Sequence, residues 1–140
     1  MYLSRFKPQI YAILRIVVGF LFLWHGSQKL FDFPASSSGM VPPAYIIWIG
    51  GTIEFFGGLL VMLGFVTRVA AFLASGEMAF AYWMAHSPAA ILPLLNHGEL
   101  AMLYCFLFLY ISAKGAGVFS VDSIIEKKKQ KRNEFKSKNP

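Results

Sequence analysis

The sequence predicts an all-α polytopic membrane protein, a bundle of four transmembrane helices with both termini in the cytoplasm. Of its 140 residues, 56% are hydrophobic and only 14% are charged, a composition typical of membrane proteins. The apolar residues fall into four runs, each close to the roughly 20 residues that a helix needs to cross a bilayer. Lys and Arg collect on one side of the resulting topology, which marks that side as cytoplasmic.

Short polar or proline-containing segments separate the predicted spans. The first span is too long for a signal peptide and contains Arg15, so we expect it to stay in the membrane. Residues 32–44 are rich in Pro, Ser and Gly and are predicted to be a loop. Thr67 and Arg68 are predicted to form a tight turn. Residues 86–96 contain two prolines and are interpreted as an apolar loop, with a lid over the bundle as the alternative. The predicted spans cover residues 9–31, 45–66, 69–85 and 97–113.

Residues 1–125 are therefore expected to form one transmembrane domain, and residues 126–140 a basic, disordered cytoplasmic tail. The segment from Glu126 to Lys138 holds seven basic and two acidic residues, which accounts for most of the net charge of +6. A basic run next to a membrane span is attracted to anionic lipid headgroups. The expected partners are thus membrane lipids and not nucleic acid.

The second span carries a carboxylate on a face of small residues. Small residues let a second helix backbone approach closely, so this face is predicted to contact protein. A carboxylate inside a membrane is costly and therefore indicates a functional site. Similar faces occur on span one (Arg15, Gly19, Phe22, Gly26, Lys29) and span three (Ala70, Ala74, Glu77, Ala81). The residues on the face of span two, Gly50, Glu54, Gly57, Val61 and Gly64, are spaced by four and three, which is the period of a helix.

Polar side chains from all four spans are predicted to converge in the outer half of the bundle. The acids Glu54, Glu77 and Glu99 are the candidates for holding and releasing protons. The alternative is that these groups only connect the helices by ion pairs and hydrogen bonds. In the inner half, Arg15 is expected to form a structural ion pair with Asp122, or else to reach Glu77. The candidate ligand-binding residues are His25, Lys29, Glu54, Glu77, His97 and Glu99.

The chain offers no evident redox centre of its own. Cys105 is the single cysteine, so a dithiol pair within the chain is excluded. His25 as an axial haem ligand is one alternative. A metal site made from His25, His86, His97 and Glu99 is another, but no compact metal-binding motif is present and no metal is predicted.

Seven segments of the chain form a recognisable pattern: 15–30, 54–59, 63–68, 77–78, 96–99, 115–117 and 120–122. Taken together, these segments resemble the DoxX family of small four-helix bacterial membrane proteins. The resemblance extends to about Asp122, and it departs from the family pattern at His97, where a glycine is expected. It implies a link to quinone-dependent oxidation and to membrane oxidoreductase complexes.

The resulting functional hypothesis is a subunit of a quinone-linked oxidoreductase system in the cell membrane. This subunit would bind a quinone or a similar amphipathic molecule in the outer-half pocket, and a partner protein would supply the redox chemistry. One alternative is a carrier, binder or proton-coupled transporter of a lipid-like or small polar molecule, for which a homo-oligomer is an open option. An assembly subunit is the other alternative.

Overall fold

The structure is a computed structural model that describes residues 2–35 and 43–138, and every regular element in these residues is a helix. Of the predicted loop 32–44, residues 36–42 lie outside the described part. A 3₁₀ turn, Tyr2–Phe6, precedes the first helix, and a π-helical turn, Tyr82–His86, continues the third. The helices are α1 (Lys7–Phe31), α2 (Ile46–Leu63), α3 (Thr67–Ala81), α4 (Pro93–Asn96), α5 (Glu99–Lys114) and α6 (Val121–Lys138).

Four of these helices form two closely packed pairs, α1 with α2 and α3 with α5. The core between the pairs includes an aromatic contact: Phe22 of α1 and Phe108 of α5 are both fully buried, with ring centroids 4.6 Å apart. By length and composition, two helices of the described residues could each cross a membrane, Tyr2–Phe31 and Ile46–Leu63. The 16 residues of α5 extend only about 24 Å at 1.5 Å per residue.

Glycines bring the backbones of α1 and α2 into direct contact. A methyl group on Gly19 would lie 2.6 Å from the backbone nitrogen of Met62, and one on Gly58 would lie 2.7 Å from that of Leu23. Gly26 would collide in the same way with the backbone of Phe55. Such an approach is possible only without a side chain, and small residues allow it between membrane helices in general.

The face predicted to contact protein on span two, defined by Gly50, Glu54, Gly57, Val61 and Gly64, is buried as expected. The tightest contact with α1, however, uses the adjacent glycines Gly51 and Gly58. Two neighbouring glycine faces on α2 thus serve different purposes. One accommodates α1, and the other faces the interior with Glu54.

The ion pair predicted between Arg15 and Asp122 is not formed. The fully buried guanidinium of Arg15 donates to the carbonyls of Val61 and Met62 (2.7 Å to the latter), at the end of α2, and to that of Phe119 at 2.8 Å. The last carbonyls of a helix have no intrahelical partner and carry partial negative charge, so a cation there is stabilising. Nor does Arg15 hydrogen-bond to Glu77, the alternative partner.

Asp122 instead binds the beginning of α3. Its carboxylate accepts hydrogen bonds from the backbone nitrogens of Val66 and Thr67, at 2.9 and 3.1 Å, and from the Thr67 hydroxyl at 2.8 Å. The turn predicted at residues 67–68 therefore lies earlier, at 64–66, and α3 begins at Thr67. Both charged residues satisfy helix ends, which offer more unpaired groups than a single opposite charge does.

Arg68 of α3 binds the end of α5 in the same way that Arg15 of α1 binds the end of α2. Its guanidinium donates to the carbonyls of Ser112 and Ala113, at 2.9 and 2.6 Å, in the last turn of α5. We call this part of the molecule, with Arg15, Arg68, Asp122 and α6, the basic end. There each helix pair is closed by an arginine from one member bound to the last carbonyls of the other.

The tail predicted to be disordered is helical from Val121 to Lys138, while residues 139–140 lie outside the described part. Ser120 begins this helix, because its hydroxyl accepts a hydrogen bond from the backbone nitrogen of Ser123 at 3.2 Å. Lys, Glu, Gln and Arg, which dominate α6, are also good helix formers. The excess of basic residues, on which the prediction of disorder rested, reports neither effect.

Two adjacent glycines test the packing of α1 against α2. Gly58→Ala is expected to destabilise the protein by roughly 1–3 kcal/mol, since the methyl group meets backbone atoms that cannot yield. Gly57→Ala is the matched control, because its methyl group would find the nearest atom at 3.9 Å. Thermal unfolding in detergent measures both. Equal melting temperatures for the two variants would contradict the close backbone contact.

Asp122 predicts a pH dependence of stability. Burial alone would raise the pKa of Asp122, but the hydrogen bonds from Thr67 and Val66 and the charge of Arg15 lower the pKa by more. A carboxyl whose pKa is lower in the folded state stabilises that state above its unfolded pKa of about 4, and the contribution is lost as the pH falls through the folded pKa.

We therefore expect Asp122→Asn to lower the melting temperature at pH 7 and to lower it by less at pH 3, where the contribution of the ionised carboxyl has begun to shrink. Asparagine has one acceptor oxygen in place of two, so it cannot accept all three hydrogen bonds and lacks the contribution that the carboxylate makes when ionised. Melting curves of both proteins across this range measure the effect. A deficit of the same size at both pH values would show that Asp122 does not act through its charge.

Candidate functional site

A cavity of about 790 Å³ lies between the two helix pairs, remote from the basic end. All four packed helices contribute to its lining. Its walls are largely apolar, formed by side chains such as Phe22, Ile49, Ile53, Phe80 and Met84. The polar side chains that line it are His25, Lys29, Tyr45, Glu54, Glu77, His86, His97 and Tyr104.

Three charged side chains meet at one place in this cavity. The ammonium of Lys29 on α1 lies 2.7 Å from Oε1 of Glu54 on α2, and the Glu54 side chain is only 4% exposed. Glu77 of α3 is close by: a methyl group on Gly50 would lie 3.0 Å from Glu77 Oε1 and 3.7 Å from Lys29 Nζ. We call Lys29, Glu54 and Glu77 the charged cluster.

The charged cluster is incompletely satisfied. Oε2 of Glu54 and Oε2 of Glu77 are buried and have no hydrogen-bond partner among the described residues. Buried polar atoms are nearly always paired, so such oxygens mark places where a proton, a water molecule or a ligand donor binds. The cluster also holds two carboxylates and one ammonium, and uptake of one proton would balance its charge.

π-Helical turns help to determine where the residues that line the cavity lie. The helical stretch of α2 contains two π-helical turns, Ile46–Gly50 and Ile53–Gly57, and a third, Tyr82–His86, directly follows α3. All three contribute lining residues, among them Gly50, Glu54 and His86. A π-helical turn inserts an extra residue, rotates the next part of the helix about its axis and often occurs at functional sites. Spacing rules that assume a regular helix cannot anticipate this shift.

The structure brings five of the six predicted ligand-binding residues to this cavity: His25, Lys29, Glu54, Glu77 and His97. The sixth, Glu99, does not line it and is exposed in the first turn of α5.

Glu99 lies outside the cavity because it is on the side of α5 opposite the buried face. The buried face of this helix contains Ala101, Tyr104 and Phe108. At 100° per residue, Glu99 lies about 140–200° around the helix from Ala101 and Tyr104, so its carboxylate points away from the cavity. The prediction that Glu99 belongs to the pocket is therefore wrong in this structure.

The sequence interpretation also missed two tyrosines that line the cavity, Tyr45 and Tyr104. The Tyr104 ring stacks on Phe108, with centroids 5.7 Å apart, and meets His25 edge to face at 6.0 Å. A tyrosine within an otherwise apolar run does not by itself indicate a binding site. Its spacing from Ala101 and Phe108 on one helix face was the only available clue.

The segment 86–96 contains the short helix α4, and hydrogen bonds connect it internally and to the start of α5. The Asn96 side chain donates to the Ala90 carbonyl at 2.7 Å and accepts from the Gly98 nitrogen at 2.7 Å. His86 Nδ1 lies 3.0 Å from the Asn96 carbonyl oxygen. Between His86 and His97 no residue lines the cavity. The geometry favours the loop over the lid.

The metal alternative lacks the necessary geometry. Across residues 2–35 and 43–138, no three His, Cys, Asp or Glu side chains are arranged to hold a metal ion. Glu99 points outward and is therefore separated from the other residues of the suggested metal site, His25, His86 and His97, which line the cavity.

Comparison with known proteins places the chain. The DoxX family model matches residues 10–87, which include all three residues of the charged cluster. A protein of Haemophilus influenzae, described as an "Uncharacterized protein", is 41% identical over 132 residues, which cover 90% of this chain and 98% of the relative. The "Inner membrane protein YqjF" of Escherichia coli is 28% identical over 121 residues, covering 83% of this chain and 92% of the relative. No solved structure matches the chain.

The family match and the first relative extend over most of the region in which the sequence resembles DoxX proteins. The family match confirms that resemblance. The chain belongs to the DoxX family.

Proposed function

We propose that α1, α2, α3 and α5 all cross the cell membrane, with both termini in the cytoplasm. The outward faces of α3 and α5 support this, because Phe72 and Phe106 are each 63% exposed in the isolated chain and would face lipid. Arg5, Lys7 and the basic end lie on one side, as the excess of positive charge on cytoplasmic segments requires. The Escherichia coli relative is called an inner membrane protein.

A pair of reporters tests this topology. Green fluorescent protein fused to the C-terminus is expected to fluoresce in bacterial cells, and alkaline phosphatase at the same point to be inactive, because the junction lies in the cytoplasm. The reverse fusion result would contradict a cytoplasmic C-terminus.

We further propose that the cavity binds an amphipathic molecule with a hydrogen-bonding head group, and that a quinone is the first candidate. The observation that carries this proposal is the combination of apolar walls with the charged cluster and its two unpaired carboxylate oxygens. Apolar pockets with a few converging polar groups are typical of small-molecule sites. In this arrangement the ammonium of Lys29 donates a hydrogen bond to a quinone carbonyl.

The carboxyl groups of Glu54 and Glu77 then handle protons. Reduction of a quinone to a quinol consumes two electrons and two protons. A partner oxidoreductase supplies the electrons in this account, and the two carboxyl groups pass protons to the quinone oxygens. This fits the role of a subunit in a quinone-linked membrane oxidoreductase system. His25 and His97, which also line the cavity, are positioned to hydrogen-bond the head group.

The test is to identify the small molecules that co-purify with the protein in mild detergent, by mass spectrometry. We expect a quinone to be enriched with the wild type and lost with Glu54→Gln, because the substitution removes the charge that holds Lys29 in place. Glu99→Gln is the matched control, an identical change outside the cavity, and should keep the ligand.

Other outcomes separate the alternatives. Enrichment of a phospholipid or another metabolite in place of a quinone, again lost with Glu54→Gln, would identify a carrier or binder. No enriched molecule in any of the three proteins would contradict a ligand-binding role and favour an assembly subunit whose acids only connect helices.

A further inference from the structure

Gly76 is a glycine that the packing of the helices does not explain. It lies inside α3, where glycine is less favourable than any residue except proline. A methyl group on Gly76 would have no atom within 4 Å, whereas one on Gly19, Gly26 or Gly58 would collide with a neighbouring backbone. Gly76 nevertheless lines the cavity. Its missing side chain leaves space on the cavity side of α3.

That space belongs to an opening between α2 and α3. On the α2 side the opening is lined by Ile49, which is 63% exposed, and by Ile53. On the α3 side it is lined by Phe80 and Met84, which are 56% and 58% exposed. These walls carry no charge, so in a bilayer the opening faces hydrocarbon and not water.

The polar groups lie at the inner end of the same opening. Gly50 of α2 lies between Ile49 and Ile53 on one side and the charged cluster on the other, since its missing side chain would touch Glu77 and approach Lys29. Glu54, 3% exposed and with an unpaired Oε2, is independent evidence that the inner end receives a ligand group.

We propose that the ligand enters sideways from the bilayer, between α2 and α3. Its head group reaches the charged cluster, and its apolar tail stays in the opening and crosses α3 at Gly76. This inference rests on the proposed function of the cavity and makes it more specific. The ligand class is a compact polar head with a long, flexible apolar tail, not a small water-soluble solute.

The opening is tested with two quinones that share a head group. Decylubiquinone carries a ten-carbon tail, and 2,3-dimethoxy-5-methyl-1,4-benzoquinone carries none. Their binding to the purified protein is followed by quenching of tryptophan fluorescence. We expect Gly76→Leu to weaken decylubiquinone binding by about tenfold or more, because the new side chain occupies the path of the tail. Binding of the tail-less quinone should be unchanged.

Three variants accompany this measurement. Gly76→Ala should cause a smaller loss, since one methyl group only narrows the opening. Thr52→Leu adds an apolar side chain on α2 at a position that is exposed and does not line the cavity, and it should bind both quinones like the wild type. Ile53→Phe enlarges the side chain on the opposite wall without adding a tryptophan and should repeat the selective loss, which keeps the test valid if Gly76→Leu folds poorly.

The outcomes distinguish the opening from the site. If Gly76→Leu and Ile53→Phe bind both quinones like the wild type while Glu54→Gln binds neither, the sideways path is wrong and the cavity remains the site. Equal loss of both quinones in a variant that melts like the wild type would also overturn the placement of the tail. If the wild type binds neither quinone, the proposed function fails for quinones, and the inferred tail position fails with it.

Discussion

The contact between the backbones of α1 and α2 determines most of the remaining geometry. Gly19 and Gly26 meet α2 without an intervening side chain, as Gly58 meets α1. Lys29 lies one turn of helix beyond Gly26, so the close approach brings its ammonium to Glu54. In a bilayer, where burial of apolar surface does not drive helices together, such packing and polar contacts must supply the association.

The two ends of the molecule use charge differently. At the basic end Arg15 and Arg68 bind the last carbonyls of α2 and α5, and Asp122 binds the first nitrogens of α3. At the cavity, by contrast, oxygens of two carboxylates are left without partners among the described residues. At the basic end one buried atom, Nε of Arg15, also has no partner, but the same guanidinium donates three hydrogen bonds through its other nitrogens. In the cavity the unpaired atoms are acceptors beside a space large enough for a ligand, which indicates a ligand, proton or water site there.

Much of this could be predicted from the sequence, because helix periodicity is a strong signal. The small-residue faces, the buried position of Glu54 and the membership of the DoxX family were all accessible in this way. Glu99 was misplaced because its contribution depends on the phase of α5, which starts only after Asn96 and His97 have turned the chain. The expected pairing of Arg15 with Asp122 was based on their opposite charges alone. In the structure both side chains bind unpaired backbone groups at or near helix ends instead.

The central claim is that an amphipathic ligand lies against the charged cluster with its tail between α2 and α3. Photo-crosslinking measures this directly, with a quinone that carries an azido group on its ring and a decyl tail, and with mass spectrometry of the labelled peptides. The account predicts labels on residues around Gly50 and Glu77, with competition by unlabelled decylubiquinone and loss in Glu54→Gln. Labels confined to the outward face of α5 or to α6, without competition, would contradict it.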